Sequence, residues 1–493
     1  MSTKGKLTSL IAVLGRLQPG DNISYPHYGR TGDMGLRLIV KMLRLLGKTD
    51  IGIFGNAFFA NVEPWLFEAI RDGIITRLWG NPYGPLGAHV MRGDLLKYGV
   101  VTTGFPHGGR IRMLKNGEVK VKIGFIPASI ADADGNLNGI DGDPNELCGV
   151  IGLGMTDADY AEHTCALVGV MSPEPLQYVG IPGEKIDGVV IMDCPLMREY
   201  IATGSLAGTK KLGPEEHIIV VSMIEIIKAT DIIQNGCFFQ TGSGAGLAVN
   251  EHILEVMEKR GIVADYVMGG ITKANVDMLK AGRVRTLLHG QTFSFEPEVF
   301  ASLRDDGNHV EISTEHAYLA RPGGESCYSR LLDLGILTGA EIDAHFNLNS
   351  TCPNGRIVGG VGGAPHVAQG ADLCMVFMPL VNVSSKNRTS AKIVDQVFCT
   401  TVPGKFVDVV VTPIGVAINP ESKSPYIDAI RAGEKNHDYN IVDIHSLVVE
   451  SGKAADEAGN VIPSVGTVSG KIVHRIQDPD GNIISELSQI ETV

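Results

Sequence analysis

The sequence predicts an α/β protein of two related domains with mostly parallel sheets. Three observations predict it: short β-branched runs alternate with helical patterns, glycine clusters punctuate them, and a weak internal repeat spans the chain. In order, Asp50–Phe54 reads as a strand and Val62–Asp72 as a helix ended by Gly73. Ile218–Val221 reads as a buried strand, because a short apolar β-branched run fits one. Leu247–Lys259 reads as a helix, with Leu247, Ile253, Leu254 and Met257 on its apolar face and a stop at Gly261. Phe406–Val411 reads as a further strand.

The repeat pairs Ile70–Leu78 with Leu279–Leu287, setting Gly73 on Gly282. It also pairs Glu118-Val119, running on to Asp134-Gly135-Asn136, with Glu341-Ile342, running on to Asn354-Gly355-Arg356. The two offsets are similar, so the expected domains are 1–212 and 213–493, joined near Lys210–Pro214.

Composition narrows the class. Hydrophobic residues are 44% and charged residues 20%, ordinary for a globular chain, and the formal charge is −13. Without a Lys/Arg-rich run, a nucleic-acid partner is not expected. No apolar run approaches the roughly 20 residues of a membrane helix, and Lys4–Gly15 is too short for a signal peptide, so no membrane association is expected. Eight scattered cysteines, with no C-x-x-C pair, point to a reducing compartment without structural zinc; the expected location is cytoplasmic and no metal is expected. Asp132-Ala133-Asp134-Gly135-Asn136 looks like a calcium loop but lacks the glutamate at its twelfth position, and reads as a turn.

Glycine is frequent, and four segments carry an unusual density of it together with polar residues. These are His27–Asp33, Phe105–Arg110, Gln240–Gly246 and Gly359–His366. A glycine-rich turn ahead of a helix presents backbone N–H groups to an anion, and the same donors stabilise the oxyanion of an attacked thioester. Taken singly, each reads first as a tight βα turn. None is a Walker A loop, and the third lacks G-x-G-x-x-G spacing. His27, Arg30, His107, Arg110, Arg356 and His366 lie in or beside such turns, a pattern that suits recognition of carboxylates in an acidic protein.

These segments, in this order, resemble the alpha subunit of citrate lyase from about Pro19 to beyond Pro420. The most specific stretches are His107-Gly108-Gly109-Arg110, Asp134-Gly135-Asn136, Gln240-Thr241-Gly242 and Gly269-Gly270-Ile271-Thr272. Asn308–Ser313, Phe346-Asn347 and Gly415–Pro420 add to them. After Gly362-Gly363 the chain departs from the family, with Ala364-Pro365-His366 in place of a His-x-Asp-like pattern. The resemblance implies the two-domain fold of the family I CoA-transferases, and exchange of acetyl for citryl on a carrier thiol. It sets Gly269 where those transferases carry a nucleophilic glutamate, so the acid itself attacks the thioester and a mixed anhydride forms.

The backbone of Gly362 and Gly363 is then expected to bind the oxyanion, and His27, Arg30, His107, Arg110, Arg356 and His366 the acid. Gln240, Gly242, Gly244, Gly246, Gly269, Gly270 and Asn347 are expected at the thioester. The resemblance implies no bound cofactor of the chain's own; the phosphoribosyl-dephospho-CoA arm sits on a partner acyl carrier (gamma) subunit, with acetyl-CoA as surrogate. It further implies a citryl lyase (beta) subunit, citrate as substrate and an oligomer. Two alternatives stay open. One is a CoA-transferase or acyl-CoA hydrolase for another hydroxy acid such as citramalate, working on free CoA esters through Glu296, Glu298 or Glu325. The other is a non-catalytic scaffold of the same fold.

Overall fold

The computed structural model describes residues 6–26, 34–58, 63–144, 146–192, 212–242, 244–292, 295–319, 327–383, 387–462 and 468–490. The fold is built on two large sheets. The first holds β1 (Asn22–Tyr25), β2 (Ile51–Phe58), β3 (Ile75–Pro82), β4 (Thr102–Gly104), β5 (Ile123–Ala131), β6 (His163–Met171) and β7 (Gly188–Ile191). The second holds β8 (Phe238–Thr241), β9 (Ala264–Ile271), β10 (Val284–Thr292), β11 (His309–Glu311), β12 (Leu334–Thr338), β13 (Leu373–Phe377), β14 (Val409–Thr412) and β15 (Gly415–Ile418). A last hairpin, β16 (Val468–Gln477) and β17 (Ile483–Ile490), follows.

The order in the first sheet is β17-β16-β4-β3-β2-β1-β5-β6-β7, and in the second β11-β10-β9-β8-β12-β13-β14-β15. From β4 to β7 and from β11 to β14 the path through space is the same and every pairing is parallel. Among the described residues, antiparallel pairing within these two sheets is confined to β14–β15, β16–β17 and a two-residue strand, Leu137–Asn138, beside β5. Parallel strands need crossovers, and helices such as Gly35–Leu45 and Val249–Arg260 supply them after the first strand of each half. The strands are apolar on both faces because helices cover both: β5 is buried along its whole length.

Two sequence expectations change. Ile218–Val221 is not a strand but part of the helix Pro214–Thr230. The run of β-branched residues is overridden by a strong start, with Pro214 in the first turn, Glu215 and Glu216 after it, and the Glu216 carboxylate accepting from Gly213 N–H at 2.8 Å. Buried Ile219, Val220, Met223, Ile226 and Ile227 then make a broad helical face. The pairing of Glu118 with Glu341 also shifts, since Glu118 follows the helix His107–Lys115 whereas Glu341 lies in the short strand Glu341–Asp343.

The counterpart of the Asp132–Asn136 turn is Asp343–Asn347. In both, the first aspartate accepts the N–H groups two and four residues on and the terminal asparagine's amide. Asp478–Asn482 repeats the device at the tip of the β16–β17 hairpin. That hairpin pairs with β4, so the first sheet is not confined to residues 1–212.

Candidate active site

The two halves meet where β4 and β11 end. The turn after β4 carries Phe105-Pro106 into the helix His107–Lys115, and Pro106 pairs with Gly362 of the second half as a parallel bridge. His107 N–H donates to the Gly362 carbonyl at 3.0 Å, and Gly108 N–H donates to Nε2 of His366 at 3.1 Å. A side chain at Gly108 is impossible as packed, because its Cβ would lie 2.5 Å from the His366 ring and 2.8 Å from the Tyr318 carbonyl. Gly362 takes φ +64°, a conformation that favours glycine.

Around this junction the Tyr318 ring lies between two imidazoles, with centroids 5.7 Å from His107 and 5.5 Å from His366. His107 Nδ1 is 3.2 Å from Asn56 Oδ1, and the His107 ring also hydrogen-bonds Gln291. Gln240 Nε2 donates to the Tyr318 hydroxyl at 3.4 Å. Burial, helped by Arg110, pushes the His107 pKa down to about 4, and burial with His107 and Arg330 pushes His366 down to about 3. Both imidazoles are therefore neutral at neutral pH, and they serve as hydrogen-bond partners rather than cations.

Several expected site residues converge here: His107, His366, Gln240, Gly269, Gly362 and Gly363. Gly269 adopts φ +111° at a break in the β9–β10 register, and its missing side chain leaves the space that the Gln240 amide fills. Gly270 lies opposite Gln291 on β10. Gly242 N–H is spent on the Ile336 carbonyl at 2.7 Å, and Gly244 and Gly246 lie in the turn Gly244–Ala248. His27, Arg30 and Glu325 fall outside the described residues.

Arg110 and Asn347 are placed otherwise than expected. Arg110 is fully buried and pairs through both terminal nitrogens with Asp157, one contact at 2.8 Å, with its guanidinium over Phe54. Its two terminal nitrogens are therefore committed to Asp157, while its Nε has no partner among the described residues. Asn347 spends its amide on Asp343 and its carbonyl oxygen on Gly404 N–H, which closes a turn. Arg356 is exposed, at the end of the turn Pro353–Gly355. Glu296 caps the helix Pro297–Asp305, where its carboxylate accepts from Lys273 N–H at 3.3 Å, and Glu298 in the first turn is exposed. Sequence reasoning missed Asn56, Gln291 and Tyr318, which sit in ordinary strand and helix patterns with no local mark.

The junction has a counterpart. Where β11 ends, Glu311 meets the turn before the helix Gly152–Tyr160, and its carboxylate accepts from Ile151 N–H and the Tyr178 hydroxyl. Ile151 is the N-cap of that helix, as Gly363 is the N-cap of Ala364–Gly370. Burial raises the Glu311 pKa to about 7.

The chain is similar to known proteins along nearly its whole length. The family model "Citrate lyase, alpha subunit (CitF)" matches residues 4–490. The chain is 30% identical over 478 residues to the citrate lyase alpha chain of Klebsiella pneumoniae, covering 96% of this chain and 89% of that one. With the alpha chain of Escherichia coli K12 it shares 31% over 407 residues, 82% and 76% of the two chains. A citrate-bound alpha subunit of citrate lyase from Streptococcus mutans superposes with a TM-score of 0.86 at 29% identity, covering 99% of this chain and 91% of that one. A Pseudomonas malonate decarboxylase hetero-tetramer with bound malonate matches at a TM-score of 0.59 and 15% identity, a likeness of fold alone. With the family model spanning nearly its whole length, the chain belongs to the citrate lyase alpha-subunit family, the citrate transferase component of that enzyme.

Proposed function

We propose that the chain catalyses acetyl-carrier + citrate → citryl-carrier + acetate, with citrate itself as the nucleophile. A citrate carboxylate oxygen attacks the acetyl carbonyl, the C–S bond breaks and the carrier thiolate leaves, giving a mixed anhydride. The thiolate then attacks the citryl carbonyl, the C–O bond breaks and acetate departs with the attacking oxygen. No proton is transferred, so neutral His107 and His366 need only bind and orient.

The observation that carries this reading is the repeated junction. Ile151 N–H, at a helix N-cap, binds the Glu311 carboxylate, and Gly363 stands at the corresponding N-cap beside His107 and Tyr318. A donor in that position suits a carboxyl oxygen or the oxyanion of an attacked thioester, and losing one such donor costs on the order of 10²–10³ in kcat. The Gly362 carbonyl, anchored on His107 N–H, fixes the peptide plane of that donor. Gly242, Gly244 and Gly246 are assigned to the approach of the thioester, and Gly242 packs so tightly that a Cβ there would lie 2.9 Å from the Ile336 carbonyl.

The thioester is carried on the phosphoribosyl-dephospho-CoA arm of a gamma subunit, and a beta subunit cleaves the citryl product. Acetyl-CoA serves as surrogate. A cytoplasmic setting suits the seven described cysteines, all of which are buried. Citrate labelled with ¹⁸O in its carboxylates tests the mechanism. The label is expected in released acetate, with initial rates needing both substrates and no protein glutamate trapped by hydroxylamine or borohydride. Label recovered in an enzyme glutamate would replace direct attack with a ping-pong route.

A further inference from the structure

We propose that Gln240 reads a hydroxyl group on the acid substrate and thereby sets specificity for hydroxy acids. Gln240 is the last residue but one of β8, is only 6% exposed, and spends Nε2 on the Tyr318 hydroxyl. Its Oε1 is buried and has no hydrogen-bond partner among the described residues. A buried acceptor left unmade costs about 1–3 kcal/mol, so such atoms mark places where a ligand or water completes the bonding.

Gly269 explains why the amide can stand there. A Cβ at that position would lie 2.7 Å from Gln240 Nε2 and 3.0 Å from its Cδ. The positive φ of Gly269 and the register break beside it hold the β9 backbone out of the amide's way. A second unpartnered amide atom, Nε2 of Gln291, belongs to the glutamine that faces Gly270 and hydrogen-bonds His107. The partner chemistry follows from Oε1, which only accepts. An ionised carboxylate and a thioester sulfur donate nothing, whereas an alcohol donates one proton to an amide oxygen. A site that hydrogen-bonds a substrate hydroxyl rejects the analogue lacking it far more strongly than a purely apolar pocket discriminates.

The inference rests on the proposed reading of the substrate as a citrate-type acid. The full-length protein is assayed with acetyl-CoA and either citrate or tricarballylate, which is citrate without its hydroxyl. The wild type is expected to favour citrate by at least about 10²-fold in kcat/KM. In Gln240→Met, of similar size but without an acceptor oxygen, that ratio is expected to fall below about 10-fold through loss of citrate turnover alone. Gln240→Glu keeps the acceptor and is expected to keep the ratio even if both rates drop, which supplies a second readout should Gln240→Met fail to fold. Equal losses for both acids would overturn the proposal, and so would a rise in KM confined to acetyl-CoA, which would assign the amide to the carrier arm. A folded wild type that turns over neither acid would instead remove the proposed function.

Discussion

Arg110 lies beneath the site, and its surroundings define its contribution. Its guanidinium and the Asp157 carboxylate are both wholly buried, and Asp157 also accepts from Ser24 at 2.9 Å. Breaking such a pair strands a charge, at a cost of about 3–5 kcal/mol. Arg110→Ala is therefore expected to lower stability by that amount, seen as a shifted urea midpoint, and to reduce the active fraction. The sequence pattern alone predicts a rise in KM for the acid instead. A stable Arg110→Ala protein with raised KM would return Arg110 to the substrate.

Among the elements, the terminal hairpin bears on the site through β4. His474 lies opposite Thr102 and is hydrogen-bonded to its hydroxyl at 2.8 Å, while Val473, Ile476 and Leu487 enter the core of the first half. Three residues beyond β4 stands His107, so the strand that delivers it is braced from outside by β16. Deleting residues 468–490 removes those apolar side chains and uncovers the core surface they pack on, a loss on the order of 5 kcal/mol at about 1.5–3 kcal/mol each. Expected outcomes are a lower thermal midpoint and loss of transfer with acetyl-CoA; unchanged values would show that β4 stands without its neighbour.

Across the whole molecule, buried neutral histidines set the response to acid. Burial holds His107, His309 and His474 down to about 4 and His366 to about 3, with His289 also well below its ordinary value. Unfolded, each binds a proton near 6.5, so below that pH the unfolded chain takes up protons that the folded chain refuses. Their contribution is complete above about pH 7 and falls as pH drops toward 4, by up to about 1.4 kcal/mol per pH unit for each histidine. Glu311, raised to about 7, acts oppositely, because the folded state holds its proton between 7 and 4.5. Asp333, Glu341 and Asp408, which burial also raises, oppose the histidines as well, but the five histidines begin to bind protons at higher pH in the unfolded chain, so the urea midpoint is expected to fall between pH 6.5 and 4. A flat profile across that range would show that the histidines are solvated.

The sequence by itself determined the α/β class, four of the five elements read from it, and the glycine turns, several of which gather at the junction. Periodicity and chain punctuation are local, and each of these features is written within a dozen residues. The Ile218–Val221 run misled because β-branched composition is also local, while the cap and first turn that made it helical lie just ahead of it. Tertiary structure decided the rest. Whether His107 carries charge, whether Arg110 meets substrate or Asp157, and whether Gln240 fills the place beside Gly269 depend on contacts between distant segments. Desolvation and pairing act through space, so spacing along the chain carries no record of them.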